Sequence, residues 1–557
     1  NSPVSRLIQK GISRIGRPLA DINSAHTTIN VSGDADVSIG SGTALDAAKK
    51  INASALTGDL ELSLGAVDNT VTGGSGKNTF VFGANLTSAD TVTGGAGADV
   101  LTASLTAVNV AATVSGVETF EIVMDNAGNN LNATNVTGIE TLTLSGDVAN
   151  VVTNLAATAT TINLIDEAND ETVSITYASG SDSAVTLNFD EVADGGTEDY
   201  AAITIGGNAG ALTVNSKDGA YTVTSIVAAD VAGAYTVNTT DTLVVDGTVG
   251  IDAVKATSLA ITTGGGDLDI SAAATNSFTK ATSINLQALD GDILMDNAGG
   301  VLISDADVTV DMLARGTGNL IDVTTLNVDH VTTMNLTSEN AGDVVITDLN
   351  MLGKNSATTA VDVDTLITMT ATGTGSSTTI SDLTPASATT LDKLVMTSSD
   401  SGVVSFTAAD NALTITEIDA SGAAADGVVI SVADLAAATK ITLGAGDVTL
   451  TTSDNVDTVV TGSGDATIIS TAGGAFTFGT GKDVITAKVA SIGANDITGF
   501  DVAKDVINLD ISEADGFTGS NVPVDYAGTP LVGALSAATI VDETGGAAFT
   551  MDAGTIL

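Results

Sequence analysis

The chain has 557 residues, with 17 basic against 67 acidic side chains, a net charge of −50, no Cys and no Trp. That balance repels phosphate and excludes a general nucleic-acid role, and the missing thiols exclude disulfides, thiolate metal sites and cysteine nucleophiles. With 43% hydrophobic residues the chain can still bury a core, so its acidity is not a signature of disorder.

Residues 1–20, NSPVSRLIQKGISRIGRPLA, hold four basic residues and no acid. On a helix Arg6, Lys10, Arg14 and Arg17 form one stripe and Ile8, Ile12 and Ile15 another. The spacing therefore predicts a short basic amphipathic N-terminal helix, closed by Pro18. The same basic residues interrupt any apolar run, so the segment does not read as a cleavable export signal. The chain also lacks an initiator Met, which fits a processed start or a piece of a longer product.

From about Thr27 the period changes to two. TTINVSGDADVSI (27–39), LELSL (60–64) and NTFVF (78–82) alternate as half-buried strands do, and strand-like segments continue almost to the C-terminus. TALDAAKKINASAL (43–56) is one of the few further helical candidates. No apolar run reaches the roughly 18–20 residues that span a bilayer, so no transmembrane segment is expected.

The middle of the chain repeats weakly. SGVETFEI and TGIETLTL lie 22 residues apart, KATSLAI at Lys255 and KATSINL at Lys280 lie 25 apart, and HVTTMNL at His330 and ATKITL near Lys440 follow the same outline. One strand every 20–30 residues cannot bury its apolar face alone, so successive units must stack; a β-solenoid is the reading, with a series of β-sandwiches as the alternative. The chain divides into a basic segment (1–26), an N-terminal region (27–110), a repetitive body (111–440) and a C-terminal region (441–557).

Glycine–aspartate turns punctuate both ends. GGAGADVLT (94–102) fits G-G-x-G-x-D-x-U-x at every defined position. Glycines allow a tight turn whose carbonyls face one side, and the Asp adds a carboxylate. Ca²⁺ takes about 6–8 oxygens, so one turn supplies half a shell and a stacked turn the rest. GGSGKNTFV (73–81) carries Asn78 at the Asp position, and FGTGKDVIT (478–486) has Phe478 in place of the first Gly. Shorter relatives are GGGDLDI (264–270), GAGDVTL (444–450) and GSGDATI (462–468). The candidate ligands are Gly73, Gly74, Gly76, Asn78, Gly94, Gly95, Gly97, Asp99, Asp447, Asp465, Gly479, Gly481 and Asp483, with Ca²⁺ as the cofactor. Because the copies are not strictly tandem, separate sites near the ends of a solenoid are expected rather than one long β-roll.

These nonapeptides resemble those of the RTX proteins that Gram-negative bacteria export by the type I route. NDITGFDVAKDVINLDI (495–511) is similar to the segment that follows the repeats in many of them, through Gly499-Phe500 and Asp505–Leu509. The resemblance implies an uncleaved C-terminal export signal. Among RTX proteins the composition is most similar to that of S-layer and related surface structural proteins, which implies secretion to a bacterial cell surface and assembly as a lattice or filament of identical subunits.

Catalytic signatures are missing. The two His, His26 and His330, are far apart in sequence, and there is no H-E-x-x-H, no G-x-S-x-G and no P-loop. The expectation is a structural subunit of a calcium-dependent surface layer, not an enzyme. An adhesin or an extracellular matrix fibre are the alternatives. The N-terminal basic stripe is expected to dock on the acidic body of its own or a neighbouring subunit, or on an anionic cell-surface glycolipid.

Overall fold

A computed structural model describes residues 4–9, 27–40, 45, 47–165, 171–190, 197–272, 276–295, 301–351, 365–385, 389–488, 495–510, 539–541 and 547–550, apart from positions 125, 147, 218, 248, 409, 425, 454 and 456. The chain forms two compact units, residues 1–279 and 280–557. Both are β-solenoids made almost wholly of parallel strands. The one helical turn among the described residues is the short Ala133–Asn135. No helix there is long and apolar enough to cross a membrane.

Alternating sequence dictates the packing of each coil. In the first unit Thr161–Leu164, Val185–Asp190, Leu212–Lys217 and Ala234–Thr239 lie side by side, each pairing in parallel with the strand one coil earlier and one coil later. Period-two alternation sends Ile162, Leu187, Val214 and Val237 inward, where all four are fully buried, and leaves Thr and Asn outside. The inward column runs from Ile39 and Leu62 through Phe80, Leu101, Phe120 and Leu142 to these four, and on to Ile261. Phe189, beside that column, packs against Tyr200 and Tyr221 with ring centroids 5.4 and 5.2 Å away.

The expected 22-residue repeat is a register repeat, since Thr119 pairs with Thr141 and Phe120 with Leu142. In the second unit the same holds for Ser283, Thr309 and Thr333, which stand in line on three successive coils. There Lys393, Glu417 and Lys440 also stack in line. Glu417 pairs with Lys440 at 3.2 Å and with Lys393 at 3.9 Å, and Lys393 makes its closer contact, at 2.8 Å, with Asp419 two residues along.

Both helical expectations are corrected where the chain is described. Val4–Gln9 is a strand, paired in parallel with Thr28–Gly33, and Lys50–Leu56 is a strand between Thr28–Gly33 and Thr70–Thr72. A sheet edge offers each of these segments a full row of backbone partners, and that outweighs a short local helical period. Lys10, Arg14, Arg17, Ile12, Ile15 and His26 lie outside the described residues.

The C-terminal coils are the tightest. Strands begin at Lys440, Val448, Asp457, Ala466, Gly474 and Val484, eight to ten residues apart, and each pairs with the next but one. Two half-coils of about nine residues thus make a turn of the solenoid. The expectation of separated turns is corrected here: 444–450, 462–468 and 478–486 lie on consecutive coils, because Val448 pairs with Ala466 and Thr467 with Val484.

Candidate functional site

The turns 73–81 and 94–102 stack directly. Each opens a strand, Asn78–Gly83 and Val100–Leu105, and Thr79 pairs with Val100, which sets Asn78 over Asp99. Both side chains are fully buried. Glycine is required at the stacking points because the coils touch through their backbones. A Cβ on Gly73 would overlap the Gly94 carbonyl oxygen, and one on Gly94 would overlap the Gly116 carbonyl oxygen and Asp99 Oδ2.

Asn78 closes its own turn. Its Oδ1 accepts from Gly74 N at 2.8 Å, and its Nδ2 donates to Gly76 O at 2.9 Å, with a longer 3.5 Å contact to Gly74 O. The carbonyl oxygens of Gly74 and Gly76 thus meet the Asn78 amide, at positions where the sequence suggests ligands for a cation. Asn78 also points two donors at its neighbour: N and Nδ2 both lie 2.7 Å from Asp99 Oδ1.

Asp99 is less completely matched. Its Oδ2 is buried without a hydrogen-bond partner, while its backbone N donates to Glu118 Oε2 on the next coil at 2.8 Å. Burial pushes its carboxyl above the usual carboxylate range and the charge of Glu118 adds to this, against the donors of Asn78. An unmatched buried carboxylate oxygen invites a cation or a proton. Asp99 Oδ2 and the Gly116 carbonyl oxygen crowd the same face of Gly94, and Glu118 holds a second carboxylate one coil on. These residues fit part of a calcium shell. Among the described residues no three Asp, Glu or His side chains converge as a metal cluster, so the remaining ligands would be carbonyls and water.

Asp483 is matched by the protein itself. Thr461 Oγ1 donates to its Oδ2 at 2.7 Å and Ala466 N to its Oδ1 at 3.2 Å. Asp505 stands beside it on the next coil, accepting from Asp483 N at 2.9 Å. Gly479 and Gly481 are pressed against the carbonyl oxygens of Gly462 and Gly464 one coil earlier.

Asp447 and Asp465 belong to a different, exposed column. Asp447 Oδ1 accepts from Asp465 N at 2.9 Å, Asp465 Oδ1 accepts from Lys482 N at 2.8 Å, and Asp426 begins the row, accepting from Asp447 N at 3.3 Å. The first unit repeats the device: Asp36 Oδ1 accepts from Asp59 N at 3.0 Å and Asp59 Oδ1 from Lys77 N at 2.9 Å. Both rows run into a lysine at the fifth position of a nonapeptide.

Sequence reasoning missed Asp36, Asp59 and Asp426, and also two buried carboxylates, Asp90 and Asp457. Asp457 accepts from Thr439 N and Ser453 N, each at 2.7 Å, and from Ser453 Oγ at 3.0 Å. Asp90 accepts from Asn69 N at 2.6 Å, Thr87 N at 2.8 Å and Thr87 Oγ1 at 3.0 Å. A Ser or Thr three or four residues before an Asp, just ahead of a strand, is the signal that could have found them.

This wiring sets a pH dependence. Burial raises the carboxyls of Asp457 and Asp483, as it does that of Asp99. A raised folded-state value means that the folded chain binds the proton more tightly than the unfolded one. The stability so gained is full below the ordinary Asp value and is lost as pH rises through the raised values. Asp419 runs the other way, held down to about 2 by the Lys393 hydrogen bond, so its contribution is lost as pH falls from about 3.9 toward 2. In chelator, the melting temperature is expected to rise from pH 7 to a maximum in mild acid and to fall below about pH 3–4. A melting temperature that drops steadily from pH 7 to 5 would contradict this.

No protein-family model matches the sequence, and no curated protein or solved structure matches it either.

Proposed function

We propose that the protein is a structural subunit of a calcium-dependent bacterial surface layer, self-assembling outside the cell. The observation that carries this reading is the repetition of one coil-edge device, carboxylates stacked coil on coil, in both units. Each unit is repetitive, the chain carries a net charge of −50, and cations that neutralise the rows would let like-charged subunits approach. Calcium at Asp99 would hold neighbouring coils together and couple folding to the calcium-rich exterior. The N-terminal basic segment, whose Val4–Gln9 forms the outer strand of a seven-stranded sheet, would dock on an acidic neighbour or on an anionic glycolipid. A matrix fibre or an adhesin is the second reading, built from the same stacked coils.

Electron microscopy of the purified chain with calcium and with chelator tests the proposal. Two-dimensional arrays that form in calcium and disperse in chelator are expected. One-dimensional polymers would indicate a fibre, and dispersed particles in every condition would remove the layer reading. Melting curves test the ion separately. Calcium should raise the melting temperature, whereas Asp99→Asn should stabilise the chelated protein by about 1–3 kcal/mol, the usual cost of an unmatched buried polar group, and respond less to calcium. Indifference of the wild type to excess chelator would dismiss calcium.

A further inference from the structure

Four successive coils of the first unit present the same outward tripeptide pattern: Thr161-Ile162-Asn163, Thr186-Leu187-Asn188, Thr213-Val214-Asn215 and Thr236-Val237-Asn238. Their registers align Thr with Thr and Asn with Asn on every coil, and none of these pairings contains a bulge. The strands Asn150–Leu155, Glu171–Ser181 and Thr197–Asn208, which form another sheet line of the same unit, do shift register. The threonine row continues over two earlier coils through Thr141 and Thr119. The result is a regular two-dimensional grid. Its repeat is about 4.7–4.9 Å from strand to strand and roughly 6.6 Å along each strand, two residues apart.

The grid is rigid. Each asparagine donates Nδ2 to Oδ1 of the one before it, at 2.8, 2.8 and 2.9 Å along the row from Asn163 to Asn238. Threonine is β-branched and held between identical neighbours, which restricts χ1. All eight side chains are half-buried, so little of each can move. The grid is also uncharged, on a chain of net −50. Charge returns two residues on, where Asp190 and Lys217 satisfy each other at 2.9 Å, and two coils before Asn163 in the asparagine row itself, at Glu121. The corresponding rows in the second unit carry Asp311, Lys393 and Glu417, so regularity and neutrality are not general features of this solenoid.

A fixed, neutral grid of hydroxyl, methyl and amide groups suits a partner that is itself periodic and hydrogen-bonding. Oxygen positions on the prism faces of hexagonal ice repeat at a distance close to the strand-to-strand spacing, and at a second distance somewhat longer than the spacing along the strand. Water held at such positions joins a crystal with little ordering cost, because the protein side is already ordered. We propose that this Thr/Asn face binds ice. The proposal is independent of the surface-layer reading and does not need calcium at Asp99.

The test uses the full chain in calcium-containing buffer, with ice-crystal shape and thermal hysteresis as readouts. Wild-type protein is expected to facet growing crystals and to open a hysteresis gap. Thr186→Lys and Thr213→Lys should abolish both while leaving the far-UV circular dichroism unchanged. Thr370→Lys, on the outward face of the second unit, should keep both. If Thr186→Lys disturbs the fold, Thr186→Tyr, a good strand former, should still lose the activity. Round crystals without hysteresis in wild type, or activity retained in the Thr186 and Thr213 variants, would overturn the proposal. So would a wild-type dimer that Thr186→Lys converts to monomer, since the face would then be a contact between copies.

Discussion

Gly94→Ala is expected to collapse the stacked turns of the first unit. The new methyl would overlap the Gly116 carbonyl oxygen and Asp99 Oδ2, one of them backbone. Neither can retreat cheaply. Gly116 donates to Thr137 O at 3.1 Å, Gly94 itself donates to Ser115 O at 2.9 Å, and Thr91–Thr93 is locked in register between Thr70–Thr72 and Thr113–Ser115. Overpacking costs typically 1–3 kcal/mol where side chains yield; against backbone the loss should be about 3 kcal/mol or more. Gly206→Ala is the matched control, since its Cβ would meet nothing closer than Thr176 Oγ1 at 3.9 Å. Urea unfolding should separate the two variants clearly, and equal midpoints would sink the stacking argument.

Phe189→Ala is the second large effect. The ring is fully buried, sits between Leu164 and Ser216 on the adjacent coils, and meets Tyr200 and Tyr221 from across the core. Removing it should cost about 3–5 kcal/mol, because a solenoid held by register cannot close the cavity. Phe189→Leu should recover much of that. In a stacked array each coil answers mainly to its neighbours, so the damage should be local. Hydrogen exchange should accelerate in Thr161–Leu164, Val185–Asp190 and Leu212–Lys217 and much less in Lys440–Thr477. Uniform acceleration through the chain would argue for a single cooperative core instead.

The strand content and the stacking were legible in the sequence because alternation and the 22-residue spacing are direct images of side-chain facing and register, as Thr119 over Thr141 makes plain. The helices expected at residues 1–20 and 43–56 were misread because parallel pairing is non-local. Nothing within Lys50–Leu56 announces that Ile29 and Val71 will flank Ile51. The glycine–aspartate turns were found, and the stacking of Asn78 on Asp99 follows from their 21-residue spacing. Hidden in the sequence was which acids are buried. Asp447 and Asp483 occupy similar-looking motifs, yet one is exposed and the other enclosed, because a shift of one position at the strand entry reverses the side chain's direction.

The buried carboxylates share a direction. Asp90 accepts from Asn69 N, Asp99 from Asn78 N, Asp457 from Thr439 N, Asp483 from Ala466 N and Asp505 from Asp483 N. In each case the later coil completes the earlier one. A nascent or threading chain that has laid down any coil therefore presents open donors to the segment that follows, about 20 residues behind. Its closing loop is short relative to the 557-residue chain, so the entropic barrier to each step stays small even though every strand is parallel. In a chain that emerges from its N-terminus, each new coil then closes on the one before it, and a chain stopped midway carries one uncapped end rather than a disordered whole.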